Sequence, residues 1–136
     1  MIGSALASTR KVAVSIDVPG IRPHYRKAAV LVLLTSDALL LTAAFAACTL
    51  KNVARFAQIL GFTYQQARIE VVTARQDSPP RISRVDWLLT IVTSDPPDRL
   101  RLLQTNIERQ GTIYNTVAAA AEITGRIVID PAPDPD

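Results

Sequence analysis

Polar and apolar residues alternate strictly at the start of the chain. Val12, Val14, Ile16 and Val18 fall on one side and Lys11, Ala13, Ser15 and Asp17 on the other, a period of two that predicts a half-buried strand. Pro19-Gly20 predicts the turn that ends it. Residues 28–34 (AAVLVLL) form an unbroken β-rich apolar run, which predicts a second strand covered on both faces. The period then changes. Thr35-Ser36-Asp37 predicts a helix start, with Ser36 able to cap and Asp37 suited to the positive end of the helix dipole. No glycine or proline occurs from Ala38 to Leu60, alanine and leucine dominate, and Gly61 supplies a left-handed stop. The predicted helix has about 25 residues and a length of roughly 37 Å.

The second half predicts a strand over Arg68–Arg75, a turn at Asp77-Ser78-Pro79-Pro80 and a longer strand over Arg81–Thr93. In that last strand Val85, Trp87, Leu89 and Ile91 share one face, so Trp87 is expected in the core, while Arg84, Asp86, Leu88 and Thr90 share the other. Ser94-Asp95-Pro96-Pro97 predicts a capped helix with proline in its first turn, and Leu100, Leu103 and Ile107 form its apolar stripe. Gly111 is expected to end it at positive φ. A short helix over Tyr114–Ala121 and a final strand over Gly125–Asp130 follow. These elements predict one α+β domain over residues 10–130, a loose N-terminus over 1–9 and a disordered tail over 131–136.

Composition narrows the function classes. The chain has 136 residues, enough for one domain, and 49% hydrophobic residues, enough for a packed core. The net charge of +3 comes from scattered lysines and arginines without aromatic interleaving, which argues against nucleic acid as a partner. No glycine-rich phosphate loop and no metal-ligand spacing occurs, so no cofactor is expected. The single histidine, His24, lies in a proline-flanked stretch without a nucleophile elbow and reads as a surface residue. The single cysteine, Cys48, excludes an internal disulfide and fits a reducing, cytoplasmic setting. Residues 1–10 lack the pattern of a secretory signal. Residues 28–50 are apolar enough to suggest a membrane span. Asp37 near their middle would cost about 2.5–3.5 kcal/mol in a bilayer, so no membrane is expected as a partner.

The first half of the long helix, up to Leu50, is apolar almost all round. Such a helix has to be enclosed on every side, which one short chain does poorly, so an intertwined homodimer is expected. Cys48 lies on this helix. Among Ala44, Phe45 and Ala47 it reads as a packed, inert small hydrophobe; Lys51, one turn on, favours a reactive thiol.

Two segments carry a family resemblance. Thr42-Ala43-Ala44-Phe45-Ala46-Ala47-Cys48-Thr49-Leu50 is similar to the small-residue run that ends in the reactive cysteine of the OsmC/Ohr family, and it continues as there to Gly61-Phe62. Gly111-Thr112-Ile113-Tyr114-Asn115-Thr116-Val117 is similar to that family's Cys-Pro-Ile-Tyr-Asn-Thr-Leu segment. The Pro79-Pro80-Arg81-Ile82 link, the Pro96-Pro97-Asp98 helix start and the order of elements also resemble the family, over about residues 28–130.

The resemblance implies an OsmC-like fold, with a curved antiparallel sheet packed on a long central helix and the site at a dimer interface. It implies thiol peroxidase chemistry. A thiolate attacks an organic hydroperoxide and becomes a sulfenic acid, a second cysteine condenses with it, and an external thiol reduces the disulfide. An arginine stabilises the thiolate and a glutamate holds the arginine. The chain departs from this pattern in two places. The second cysteine falls at Gly111, and the glutamate position of the Ohr-type branch falls at Ala38, beside Asp37. Arg22 and Arg26, which precede the strand leading into the long helix, are the candidate arginines. Two functions follow as expectations. One is a one-cysteine hydroperoxide reductase with Cys48 as nucleophile, Arg26 or Arg22 as thiolate stabiliser and an external thiol as reductant. The other is an inactive module binding a small apolar or acyl ligand at the dimer interface.

Overall fold

The computed structural model of the chain describes residues 11–19 and 37–131. Strand β1 (Lys11–Pro19) is followed by helix α1 (Asp37–Leu60), the hairpin strands β2 (Gln66–Asp77) and β3 (Pro80–Thr93), helices α2 (Pro97–Gln110) and α3 (Thr112–Ala118), and strand β4 (Glu122–Pro131). The predicted strand at 28–34, Ser36, His24, Arg22, Arg26, the N-terminal stretch and residues 132–136 lie outside the described residues.

The four described strands form one sheet in the order β1-β2-β3-β4. β1, β2 and β3 are antiparallel neighbours, as expected. The wholly antiparallel expectation needs one correction, because β4 runs parallel to β3, with Glu122 beside Arg84 and Ile127 beside Leu89. The reason lies in the connection. A parallel neighbour needs a crossover of a dozen or more residues, and α2 with α3 supplies it by carrying the chain from the end of β3 back to its start.

Strict alternation gives the sheet one buried face. Ala67, Ile69, Val71 and Thr73 of β2 and Val85, Trp87, Leu89 and Ile91 of β3 point into the core. Helix α1 lies against β1 and β2 and also meets α2 and α3. It buries Thr42, Phe45, Ala46, Thr49, Asn52, Val53, Phe56 and Ala57, residues three and four apart along one side. By length and composition α1 could cross a membrane; in this fold it packs as a core helix. It ends at Gly61, whose φ of +66° is the left-handed stop the sequence predicted. Arg99 of α2 donates to the carbonyls of Leu60 and Gly61 at 2.7 and 2.9 Å, which satisfies acceptors the helix end leaves free.

Several local expectations change. The strands and α3 are displaced by a few residues from their predicted bounds. Helix α2 has proline at its start, as predicted, but Pro96 is its N-cap and no side chain caps it. The Asp95 carboxylate instead accepts the Thr63 backbone N–H at 2.8 Å and ties the α1–β2 link to the end of β3. Gly111 does end α2, but at φ −71°, so the positive-φ explanation is corrected. Close packing keeps this residue small. A Cβ there would stand 2.8 Å from the Ile107 carbonyl oxygen and 2.9 Å from Tyr114 Cβ.

Candidate functional site

Cys48 sits in the middle of α1, neither buried nor fully exposed. The run of small residues sets it there. Thr42, Ala43, Phe45, Ala46 and Thr49 turn toward the sheet, while Ala44, Ala47 and Lys51 face outward. Cys48 lies on the border between the two sides. Among the described residues, the helix that the sequence predicted to be enclosed on every side is covered on one side. Leu40 keeps 47% of its surface exposed, and Leu41 is exposed beside it.

Inside this border is Asn52, one turn after Cys48 and only 6% exposed. Its Nδ2 donates to Cys48 Sγ at 3.8 Å, within range for the large sulfur acceptor. The same nitrogen lies 3.4 Å from where a Cβ on Gly111 would stand. The two segments that carry the family resemblance therefore meet here, with Cys48 on α1, Gly111 at the α2–α3 junction and the Asn52 amide between them. Tyr114 closes one side. Its ring lies 5.8 Å from the Phe45 ring at a tilt of 35°, and burial, followed by the Glu108 charge, pushes its hydroxyl pKa up. Asn115 holds the junction itself, donating its side-chain amide to the Arg109 carbonyl at 2.9 Å and its backbone N–H to the Gly111 carbonyl at 2.9 Å.

Of the three residues singled out for catalysis, Cys48 is the one within the described residues; Arg22 and Arg26 lie outside them. Ala38, at the glutamate position, lies in the first turn of α1. No three side chains of His, Cys, Asp or Glu converge as metal ligands among the described residues. Asn52 was missed by sequence reasoning. The signal was available, because Thr42, Phe45, Ala46, Thr49, Val53 and Phe56 define the inward side of α1 and Asn52 falls on it. An amide on an inward stripe needs a partner.

Comparison with solved structures matches the fold to that of OsmC-like proteins. An OsmC-like protein from Mycoplasma pneumoniae is similar over 89% of this chain and 96% of its own, with a TM-score of 0.66 and 13% identity. A protein from Aquifex aeolicus VF5 is similar over 73% of this chain and 76% of its own, with a TM-score of 0.67 and 10% identity. A Psychrobacter arcticus 273-4 protein, named for an osmotic stress induced and detoxification response, is similar over 68% of this chain and 67% of its own, with a TM-score of 0.62 and 16% identity. No family model and no curated protein matches the sequence. The fold is OsmC-like, a mixed helix-and-sheet architecture with α1 as its central helix.

Proposed function

We propose that this OsmC-like chain is a one-cysteine, thiol-dependent organic hydroperoxide reductase. The observation that carries the reading is the state of Cys48, a partly exposed thiol in mid-helix with a buried amide N–H on its sulfur. The stress and detoxification wording of a structural neighbour's name points the same way.

The chemistry closes without a cofactor. The Cys48 thiolate attacks the outer oxygen of R–O–O–H, the O–O bond breaks, and the sulfur keeps the OH as a sulfenic acid while the alkoxide leaves and takes a proton from water. Gly111 offers no second thiol, so an external thiol condenses with the sulfenic acid, releases water and leaves a mixed disulfide. A second external thiol attacks the external sulfur of that disulfide, Cys48 leaves as the thiolate, and the two external thiols depart joined as a disulfide. Arg26 or Arg22 is the proposed stabiliser of the thiolate. A homodimer is proposed as the working form, because the outward apolar side of α1 around Leu40 and Leu41 is the surface a second copy would cover. A reducing cytoplasm suits a chain that depends on outside thiols.

The test is the intact mass of the folded protein after treatment with an organic hydroperoxide in the presence of a sulfenic-acid trap, with Cys48→Ser as control. Rapid, stoichiometric trapping that disappears in the control is expected. A folded protein that gains no adduct over a long exposure would overturn the reading and favour ligand binding without catalysis.

A further inference from the structure

Buried amides are nearly always well bonded, because an unused donor or acceptor loses its water without replacement. Asn52 directs its donor to an unusual acceptor. Its side chain has two N–H donors and a carbonyl oxygen, yet among the described residues its one side-chain hydrogen bond is the 3.8 Å contact from Nδ2 to Cys48 Sγ. A neutral thiol is a weak acceptor. A thiolate is a far stronger one, and a sulfenic acid places an oxygen beyond the sulfur, where an ordinary N–H···O bond becomes available. The donor is also fixed in place. α1 is continuous through this region, and the α2–α3 junction stands behind the amide, with the Gly111 Cβ position 3.4 Å from Nδ2.

We propose that Asn52 is the hydrogen-bond donor for Cys48 in its anionic and oxygenated states. This rests on the reading of Cys48 as a peroxide-reactive thiol. In that role the amide does two things. It favours the thiolate that attacks, and it holds the resulting sulfenic acid until an outside thiol arrives. The second task matters in this chain because no internal cysteine removes the sulfenic acid. A longer-lived sulfenic acid is otherwise exposed to a second oxidation, in which another hydroperoxide transfers oxygen to the sulfur and leaves the sulfinic acid.

The test uses the full chain and the variants Asn52→Leu, Asn52→Asp and Asn52→Gln, each checked for native circular dichroism. Two readouts are taken. The first is the ultraviolet absorbance of the lone thiolate across pH, with Cys48→Ser as the blank. The second is the lifetime of the sulfenic acid after one equivalent of organic hydroperoxide, followed by trapping and by the mass of the sulfinic product. Asn52→Leu is expected to move the thiolate profile to higher pH, because the anion loses a donor, and to shorten the sulfenic lifetime by up to about tenfold, the size of one lost hydrogen bond to a neutral oxygen. Asn52→Asp, which puts a negative charge beside the sulfur, is expected to move the profile further, and Asn52→Gln to restore part of the effect. A profile and lifetime unchanged in folded Asn52→Leu would overturn the proposal. If the wild-type chain forms no sulfenic acid, the peroxidase reading fails, and the thiolate profile still decides whether Asn52 serves the sulfur.

Discussion

The side-chain amide of Asn52 fills the space in front of Gly111, its Nδ2 standing 3.4 Å from the position of a Cβ there. The Ile107 carbonyl oxygen and Tyr114 Cβ press on the same point at 2.8 and 2.9 Å. Two effects compete when alanine replaces this glycine. At φ −71° alanine is conformationally at ease and gains about 0.4–1 kcal/mol from a stiffer unfolded chain. Overpacking against a backbone oxygen costs about 1–3 kcal/mol. The steric term wins because that oxygen belongs to the last turn of α2 and cannot swing aside. Gly111→Ala is therefore expected to lower stability by about 1–2 kcal/mol, measured by urea denaturation. Equal or greater stability would mean that the junction yields freely.

The same geometry speaks to restoring a second cysteine. Gly111→Cys carries the same Cβ into the same contacts, with Asn52 between it and Cys48. Spontaneous disulfide formation is expected to be slow and incomplete in this variant, and to rise when Asn52→Ala is added to make room. Free-thiol counts on the folded single and double variants decide it. Full oxidation of the single variant would show that the amide is no obstacle.

Much of this fold was legible because its cues are local. The alternation of Val85, Trp87, Leu89 and Ile91 predicted the inward face of β3, and Gly61 predicted the end of α1 at positive φ. The parallel placement of β4 was not legible, because strand direction depends on where the α2–α3 crossover sets the chain down. The reason for Gly111 was also hidden. A glycine after a helix suggests backbone freedom, whereas the constraint is tertiary, from Ile107, Tyr114 and Asn52. At the site, Cys48 could be singled out from its neighbours and the family resemblance. The role of Asn52 required knowing that Gly111 comes to stand behind it.

Gly125 is held to glycine by Trp87. The two are register partners on β3 and β4, and a Cβ on Gly125 would overlap the indole ring at Cε2, Nε1 and Cδ2. The ring is 4% exposed, and its Nε1–H has no partner among the described residues. Gly125→Ala is expected to cost about 3 kcal/mol, at the upper end for overpacking, and to shift the fluorescence of the lone tryptophan. Trp87→Phe removes the unbonded donor and the indole atoms Nε1 and Cε2 while keeping a ring carbon near the Cδ2 position, so it relieves the larger part of the overlap. The double variant should recover a large part of the loss, giving a coupling energy of about 1–3 kcal/mol between the two sites. Simple additivity in thermal melts would contradict the stacking of Trp87 on Gly125.

Alkaline stability follows from the tyrosines. Burial pushes the Tyr64 hydroxyl above its ordinary value, and burial followed by the Glu108 charge does the same to Tyr114. A tyrosine raised in the folded state ionises first in the unfolded chain. As pH rises past about 10 the unfolded state thus binds fewer protons, and stability falls. The contribution is complete below the unfolded value and is lost as pH climbs through the folded ones. Denaturation midpoints taken from neutral to strongly alkaline pH are expected to decline in that range, and Tyr64→Phe should make the decline shallower. A wild-type curve flat through the alkaline range would contradict the burial of these hydroxyls.

A buried hydroxyl pair pins α1 to the sheet. Thr42 Oγ1 donates to the Ala38 carbonyl at 2.7 Å and lies 2.8 Å from Thr73 Oγ1, both threonines being buried. A hydroxyl has one proton, and that of Thr42 is committed to Ala38, so Thr73 is the donor across this helix–sheet contact. The two single substitutions are therefore unequal. Thr42→Val leaves the Thr73 O–H buried with no acceptor and is expected to cost about 1–3 kcal/mol. Thr73→Val removes that donor, leaves Thr42 bonded to Ala38 and is expected to cost less. With both replaced by valine no donor is stranded, and the double variant should be more stable than Thr42→Val alone. Chemical denaturation of the three variants gives the order directly. If Thr73→Val were the more damaging single change, the proton would run the other way, from Thr42 to Thr73, and the Ala38 carbonyl would not be holding it.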